Sequence, residues 1–187
     1  MARRRVRIVL LCEDSQHEAF VRRFLKGMGW DTREMRVLKS PRADGSAEQW
    51  VRENFPVELR IYRQRNTKAV SALVAVMDAD TRTVDDRLNE LETECRTKGV
   101  EFRKNSEAVV VAIPKRNIET WIHYLDGHEV NEDIVYPKLN KAGACTSAVN
   151  HLLQRCRSTG LGQDAPPSLA RSCNEYTDRI ARLVGMG

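Results

Sequence analysis

Three stretches of this chain stay apolar for the length of a strand and then stop abruptly. Residues 6–12 run Val-Arg-Ile-Val-Leu-Leu-Cys and end at Glu13 and Asp14. Residues 72–77 contain no polar side chain and end at Asp78 and Asp80. Residues 108–113 are apolar and largely β-branched and end at Pro114. Such runs read as strands buried on both faces, as in a parallel sheet. A weaker run at 34–38 reads as a fourth strand. Between the strands the apolar positions change to helical spacing. Ala19, Phe20, Phe24 and Leu25 share one face of a helix over 16–26, stopped by Gly27 and Gly29. Ser46 caps a second helix through Trp50 and Val51, which Pro56 is expected to interrupt or restart. Val84, Leu88, Leu91 and Cys95 mark a third, opened by the capping pair Thr83 and Asp86 and closed by Gly99. A fourth begins near Asn117 with Ile118, Trp121, Ile122 and Leu125. Residues 40–45 are turn formers and read as a loop. Alternation of strand and helix predicts an α/β fold: a doubly wound, mostly parallel sheet of about four strands with helices on both faces.

Beyond Gly127 the strands vanish. Two helical patterns follow, at 144–157 and 168–183, separated by a loop rich in glycine and proline. The expected organisation is an α/β domain over 1–127 and a helical C-terminal extension over 128–187 packed on its core. The chain shows no internal repeat.

Composition narrows this little. At 187 residues, 41% hydrophobic and 30% charged, the chain has the size and make-up of a globular domain. No apolar run approaches the roughly 20 residues that span a bilayer. The basic start, Met1 to Arg5, leads into a short apolar run that ends in acid, which reads as a first strand. Five cysteines without paired spacing argue against a disulfide framework and for a reducing, cytoplasmic setting. A net charge of +5 permits a polyanionic partner without demanding one.

The candidate chemistry lies where the strands end. Glu13 and Asp14 follow the first, Asp78 and Asp80 the third, and Glu119 opens the helix after the fourth. In a parallel sheet these ends share one rim, where ligands of open α/β sheets bind. Side chains at i and i+2 of a strand point the same way, so Asp78 and Asp80 are expected to lean toward one ion. Clustered carboxylates repel unless a cation neutralises them, and Mg²⁺ suits oxygen ligands that leave room for water and phosphate. Lys115 and Arg116 enter the same rim, placed to hold a phosphate or stabilise a charged transition state. Each acid also has a plain structural reading, as a solvated turn or as an acid favoured by a helix dipole. His17 reads as a solvent-facing helix residue and Trp121 as core. His123, His128 and His151 lack zinc spacing.

Glu after a first strand, Asp-x-Asp after a later one and an acidic helix beyond it resemble the Toprim pattern, found in topoisomerases, bacterial primases and OLD-family nucleases. The stretch from Glu13 to Phe20 is similar to the Glu-Gly-x-x-Glu start of small Toprim-related proteins encoded beside ATPases in bacterial defence loci, the RloB-like group. Asn117, Glu119 and Trp121 resemble their Asn-x-x-Glu-x-Trp segment, with one residue fewer between Asn117 and Glu119. The resemblance covers roughly residues 6–125. Asp14 departs from it, standing where Gly is usual, and Glu18 falls one residue late, so no role is carried over to Glu18. What the resemblance implies is a Toprim or Rossmann-like sheet and Mg²⁺- or Mn²⁺-dependent cleavage of a phosphodiester in DNA or RNA, with an OLD-type ATPase as partner. Asp78 and Asp80 would be the main metal ligands. Glu13 would be a general acid/base or a further ligand, and Glu119 would complete the site. Three other readings remain: a Toprim fold that only regulates, a response-regulator receiver built on Glu13, Asp14, Asp78 and Lys115, and a haloacid-dehalogenase phosphatase. The last expects Thr or Val where Arg82 stands.

Overall fold

A computed structural model describes residues 6–33, 35–41, 46–158 and 160–184. The basic start, residue 34 at the expected opening of the second strand, and most of the 40–45 loop lie outside the described residues. The strands are β1 (Arg7–Cys12), β2 (Arg36–Lys39), β3 (Ser71–Val76) and β4 (Val109–Ala112). They form one four-stranded sheet in the order β2-β1-β3-β4, with every pairing parallel. The helices among the described residues are α1 (Ser15–Gly27), α2 (Ala47–Asn66), α3 (Val84–Thr97), α4 (Glu119–Leu125), α5 (Thr146–Arg157) and α6 (Pro167–Arg179). The fold is α/β and Rossmann-like, with helices on both faces of the sheet. No described helix is long and apolar enough to cross a membrane.

The two faces follow from the pleat, since neighbouring residues of a strand point to opposite sides. Val9 and Leu73 pair in register and meet Ile61 and Tyr62 of α2, with α3 packed beside it. Val74 and Val110, one residue on, meet Phe20 and Phe24 of α1, Trp121 of α4 and Tyr176 of α6 around a small apolar cavity of about 60 Å³. The helices after residue 127 therefore cover the sheet: α6 lies against β4, and α5 packs on α1 and α4. Glu175 ties α6 to the sheet edge, paired with both terminal nitrogens of Arg103 and accepting from the Val111 amide at 3.4 Å.

Several local expectations change. Helix α2 runs through Pro56 unbroken. Phe55 and Leu59, both fully buried, hold it against the sheet, and this packing outweighs one missing backbone bond. Strand β2 lies later than expected, because pairing with Val9 to Cys12 of β1 sets its register. Leu91 and Cys95 are fully buried on α3, while Val84 and Leu88 are half-buried at the edge of the core. Thr83 and Asp86 do form a reciprocal capping box.

Candidate functional site at the carboxyl rim of the sheet

The chain leaves β1 toward β2 on one side and β3 toward β4 on the other. The strand order thus reverses between β1 and β3, the place where an open α/β sheet leaves a crevice. Glu13 and Asp14 stand at one lip and Asp78 at the other. The Asp14 carboxylate caps α1, accepting from the amides of Gln16 and His17 at 2.9 Å. The Glu13 side chain crosses the crevice and accepts from the Asp78 amide at 2.5 Å. His17 crosses too, its Nε2 lying 3.0 Å from Asp78 Oδ1. His17 is fully buried, which corrects the expectation of a solvent-facing histidine. It falls three and seven residues before Phe20 and Phe24, so it continues their buried stripe. That spacing was the signal in the sequence that could have found it.

Asp80 does not follow Asp78. Strand β3 ends at Val76, so neither aspartate is on the strand and the i, i+2 rule lapses. Asp80 also adopts a left-handed backbone conformation at φ 54°, which re-aims its side chain. It is exposed and lies 3.4 Å from Arg87. The buried Arg87 also binds Glu48 at 3.0 Å and Glu90 at 2.7 Å, so one cation ties α2, α3 and the loop after β3. Arg87 sits three residues after Val84 and four before Leu91, again on the inner helix face, and the sequence reading missed it.

Of the two basic residues, Arg116 donates to the backbone carbonyls of Asp80 and Asp133 at 3.0 Å. Lys115 pairs with Asp133 at 2.5 Å. Asn117, part of the motif resemblance but given no role there, binds the backbone of Tyr136 at 2.7 and 3.4 Å and pins that loop to the rim. Glu119 is buried in the first turn of α4. Glu18 pairs with Arg22 and Lys39. Glu13, Asp78, Asp80, Arg87, Arg116 and Asn117 line a common cleft of about 480 Å³, whose wall includes neither Lys115 nor Glu119.

The electrostatics match a crowded acid site. Burial, and then the negative charge of Asp78, push the Glu13 carboxyl up to about 8. The same two causes push Glu119 up to about 7 and raise Asp80. Burial alone would lower His17, but the hydrogen-bonded Asp78 carboxylate and Glu13 raise it to about 10. The imidazolium is thus the cation nearest to Asp78. The donor set, hard carboxylate oxygens on an open cleft, fits Mg²⁺ or Mn²⁺ by chemistry. As they stand, no three His, Cys, Asp or Glu side chains among the described residues are gathered to hold an ion. Asp78 turns to His17 and Asp80 to Arg87 instead. In comparisons with known proteins, no protein-family profile, no curated protein and no solved structure matches this chain.

Proposed function

We propose that the chain is a Toprim-type, divalent-cation-dependent nuclease, working on DNA or RNA in the cytoplasm together with an OLD-type ATPase in bacterial defence. The observation that carries the reading is the meeting of Glu13 and Asp78 across the β1–β3 crevice, with Asp80 and Arg116 on the same cleft. Acids from the ends of β1 and β3 line one cleft, with the Glu13 carboxyl on the Asp78 backbone amide. In this reading Asp78 and Asp80 hold Mg²⁺ or Mn²⁺, Glu119 backs them from α4, and a bound cation would polarise a phosphate oxygen and neutralise the leaving group. Glu13, which titrates near 8, is suited to hold or pass a proton close to neutral pH. Arg116 faces the cleft and is the better placed of the two basic residues to meet a phosphate, with Lys115 behind it on Asp133.

The test incubates the purified chain with DNA and RNA in Mn²⁺, with and without a candidate OLD-type ATPase and ATP. Cleavage is expected in the wild type and lost in Asp80→Asn, while nucleic-acid binding persists because it rests on cations. Neutralising Lys115 and Arg116 together is expected to weaken binding and flatten its salt dependence by about one unit of slope per lost phosphate contact. Cleavage undiminished when Glu13, Asp78, Asp80 and Glu119 are all alanine would overturn the assignment.

A second reading, a regulatory module of the same fold that does no chemistry, is favoured by the engagement of Asp78 and Asp80 with His17 and Arg87. It expects Mn²⁺ to leave the protein unchanged. The receiver reading has less support, because Lys115 is committed to Asp133 and not to Asp78.

A further inference from the structure

We propose that Cys156 and Cys173 are a modification site: a thiol pair that hydrogen peroxide oxidises to a reversible disulfide, joining α5 to α6. Neither residue lines the acidic cleft, so the pair stands apart from the nuclease reading. Helical spacing brings the two together. Cys156 falls one turn after the buried Leu152 on α5, and Cys173 one turn after the buried Leu169 on α6. Leu152, Leu169, Cys173 and Tyr176 line the same apolar cavity, so the two helix faces meet there. At that seam the Cys173 thiol donates to the Cys156 sulfur. Cys156 also acts by its charge on Tyr176, three residues after Cys173.

The five cysteines are not equivalent. Cys12, Cys95 and Cys145 are buried, and burial raises their thiols, so they stay protonated and out of reach. Cys156 is exposed in the last turn of α5, and the hydrogen bond from Cys173 lowers its thiol below the ordinary value. The same bond, and then burial, raises Cys173 and keeps the proton on it. An exposed sulfur inclined to ionise, beside a protonated one, is the arrangement of an attacking cysteine and its resolving partner. The Cys156 thiolate attacks one oxygen of hydrogen peroxide. A sulfur–oxygen bond forms, the oxygen–oxygen bond breaks, and the departing hydroxide takes up the proton that Cys156 released. Cys173 then attacks the oxidised sulfur. The disulfide forms, the sulfur–oxygen bond breaks, and the second hydroxide takes up the Cys173 proton. Two thiols lose two electrons, and the peroxide leaves as two waters.

The experiment treats the reduced full chain with hydrogen peroxide and maps its thiols by mass spectrometry, beside Cys156→Ser and Cys173→Ser. Far-UV circular dichroism checks that each is folded. The wild type is expected to lose two hydrogens and to yield, on digestion without reductant, a cross-linked peptide pair holding Cys156 and Cys173. Its melting midpoint should rise by about 6–12 °C, the scale for a cross-link over a short segment in a chain of this length, and return with dithiothreitol. Cys173→Ser should stop at a sulfenic acid on Cys156, one oxygen heavier and trapped by dimedone. Cys156→Ser should show neither product. Thiols that all stay free in the treated, folded wild type would overturn the proposal. So would a cross-link that forms only in urea, one that joins other cysteines, or one that leaves the midpoint unchanged. Peroxide consumption as fast in Cys156→Ser as in the wild type would also overturn it. The wild-type map decides the matter even if a serine variant misfolds.

Discussion

At the scale of single residues, the site is defined by protons held where a cation would go. Glu13 titrates near 8 and Glu119 near 7, both lifted first by burial and then by Asp78. Near pH 7 both carry a substantial share of bound proton. A divalent cation binding in the cleft beside Glu13 would displace its share, so its affinity should rise as pH climbs through about 8. Calorimetric titration of Mn²⁺ at pH 7 in two buffers of unlike ionisation enthalpy should give different apparent heats, the difference reporting the protons released. Equal heats in both buffers would show that the Glu13 carboxyl does not take part.

At the scale of elements, the joint between α6 and β4 is tied by a charged network. Arg103, buried at the sheet edge, donates to the Val109 carbonyl at 2.8 Å and pairs with Glu175, which Arg179 also approaches at 3.1 Å. Breaking one partner of a buried pair costs about 3–5 kcal/mol because the other is left uncompensated. Glu175→Ala should therefore lower the urea midpoint markedly at neutral pH. Burial by itself would raise the Glu175 carboxyl, but the hydrogen-bonded Arg103, with Arg179, holds it below its ordinary 4.5. The unfolded chain then binds more protons than the folded one as the solution is acidified. Stability from this group is present above its unfolded pKa and is lost as pH falls through the lower folded value. The gap between variant and wild type should accordingly shrink below about pH 4. A gap that stays constant into acid would mean that the carboxylate is not what holds α6.

At the scale of the whole molecule, the sheet has one face covered by α2 and α3 and the other by α1, α4, α5 and α6. Helices α5 and α6 close the face on which Val74 and Val110 point at Phe20, Phe24 and Trp121. A chain ending at residue 127 would leave that face open to water, an apolar area too large for a stable monomer. Such a truncation should lose cooperative urea unfolding and bind a hydrophobic dye, although every strand and every candidate acid is still present. Sharp two-state unfolding of the truncated chain would instead make residues 128–187 a dispensable extension. The same architecture explains why acids distant in sequence meet: the parallel sheet puts the ends of β1, β3 and β4 on one rim.

The sequence by itself determined the strands, the parallel α/β class and the rim on which the acids fall. These features depend on local signals: unbroken apolar runs, helical spacing, and the charge or glycine that ends each element. The capping box at Thr83 and Asp86 was legible for the same reason, since its partners lie within one turn. Only the tertiary structure decided which polar group faces which. The spacing of His17 from Phe20 and Phe24 marks its buried side, but only the fold brings its partner Asp78, 61 positions away. Lys115 was drawn off the cleft by Asp133, in a loop of no regular structure. Asp80 left the line of Asp78 because β3 ends earlier than its apolar run, and the backbone turns left-handed there. Helix α6 lies against β4, and α5 packs on α1 and α4, because these helices complete the apolar face that Phe20, Phe24 and Trp121 cover only in part. Periodicity reports which side of an element is buried; it carries no information about the group waiting on the other side, and at this rim those pairings direct Asp78 to His17 and Asp80 to Arg87.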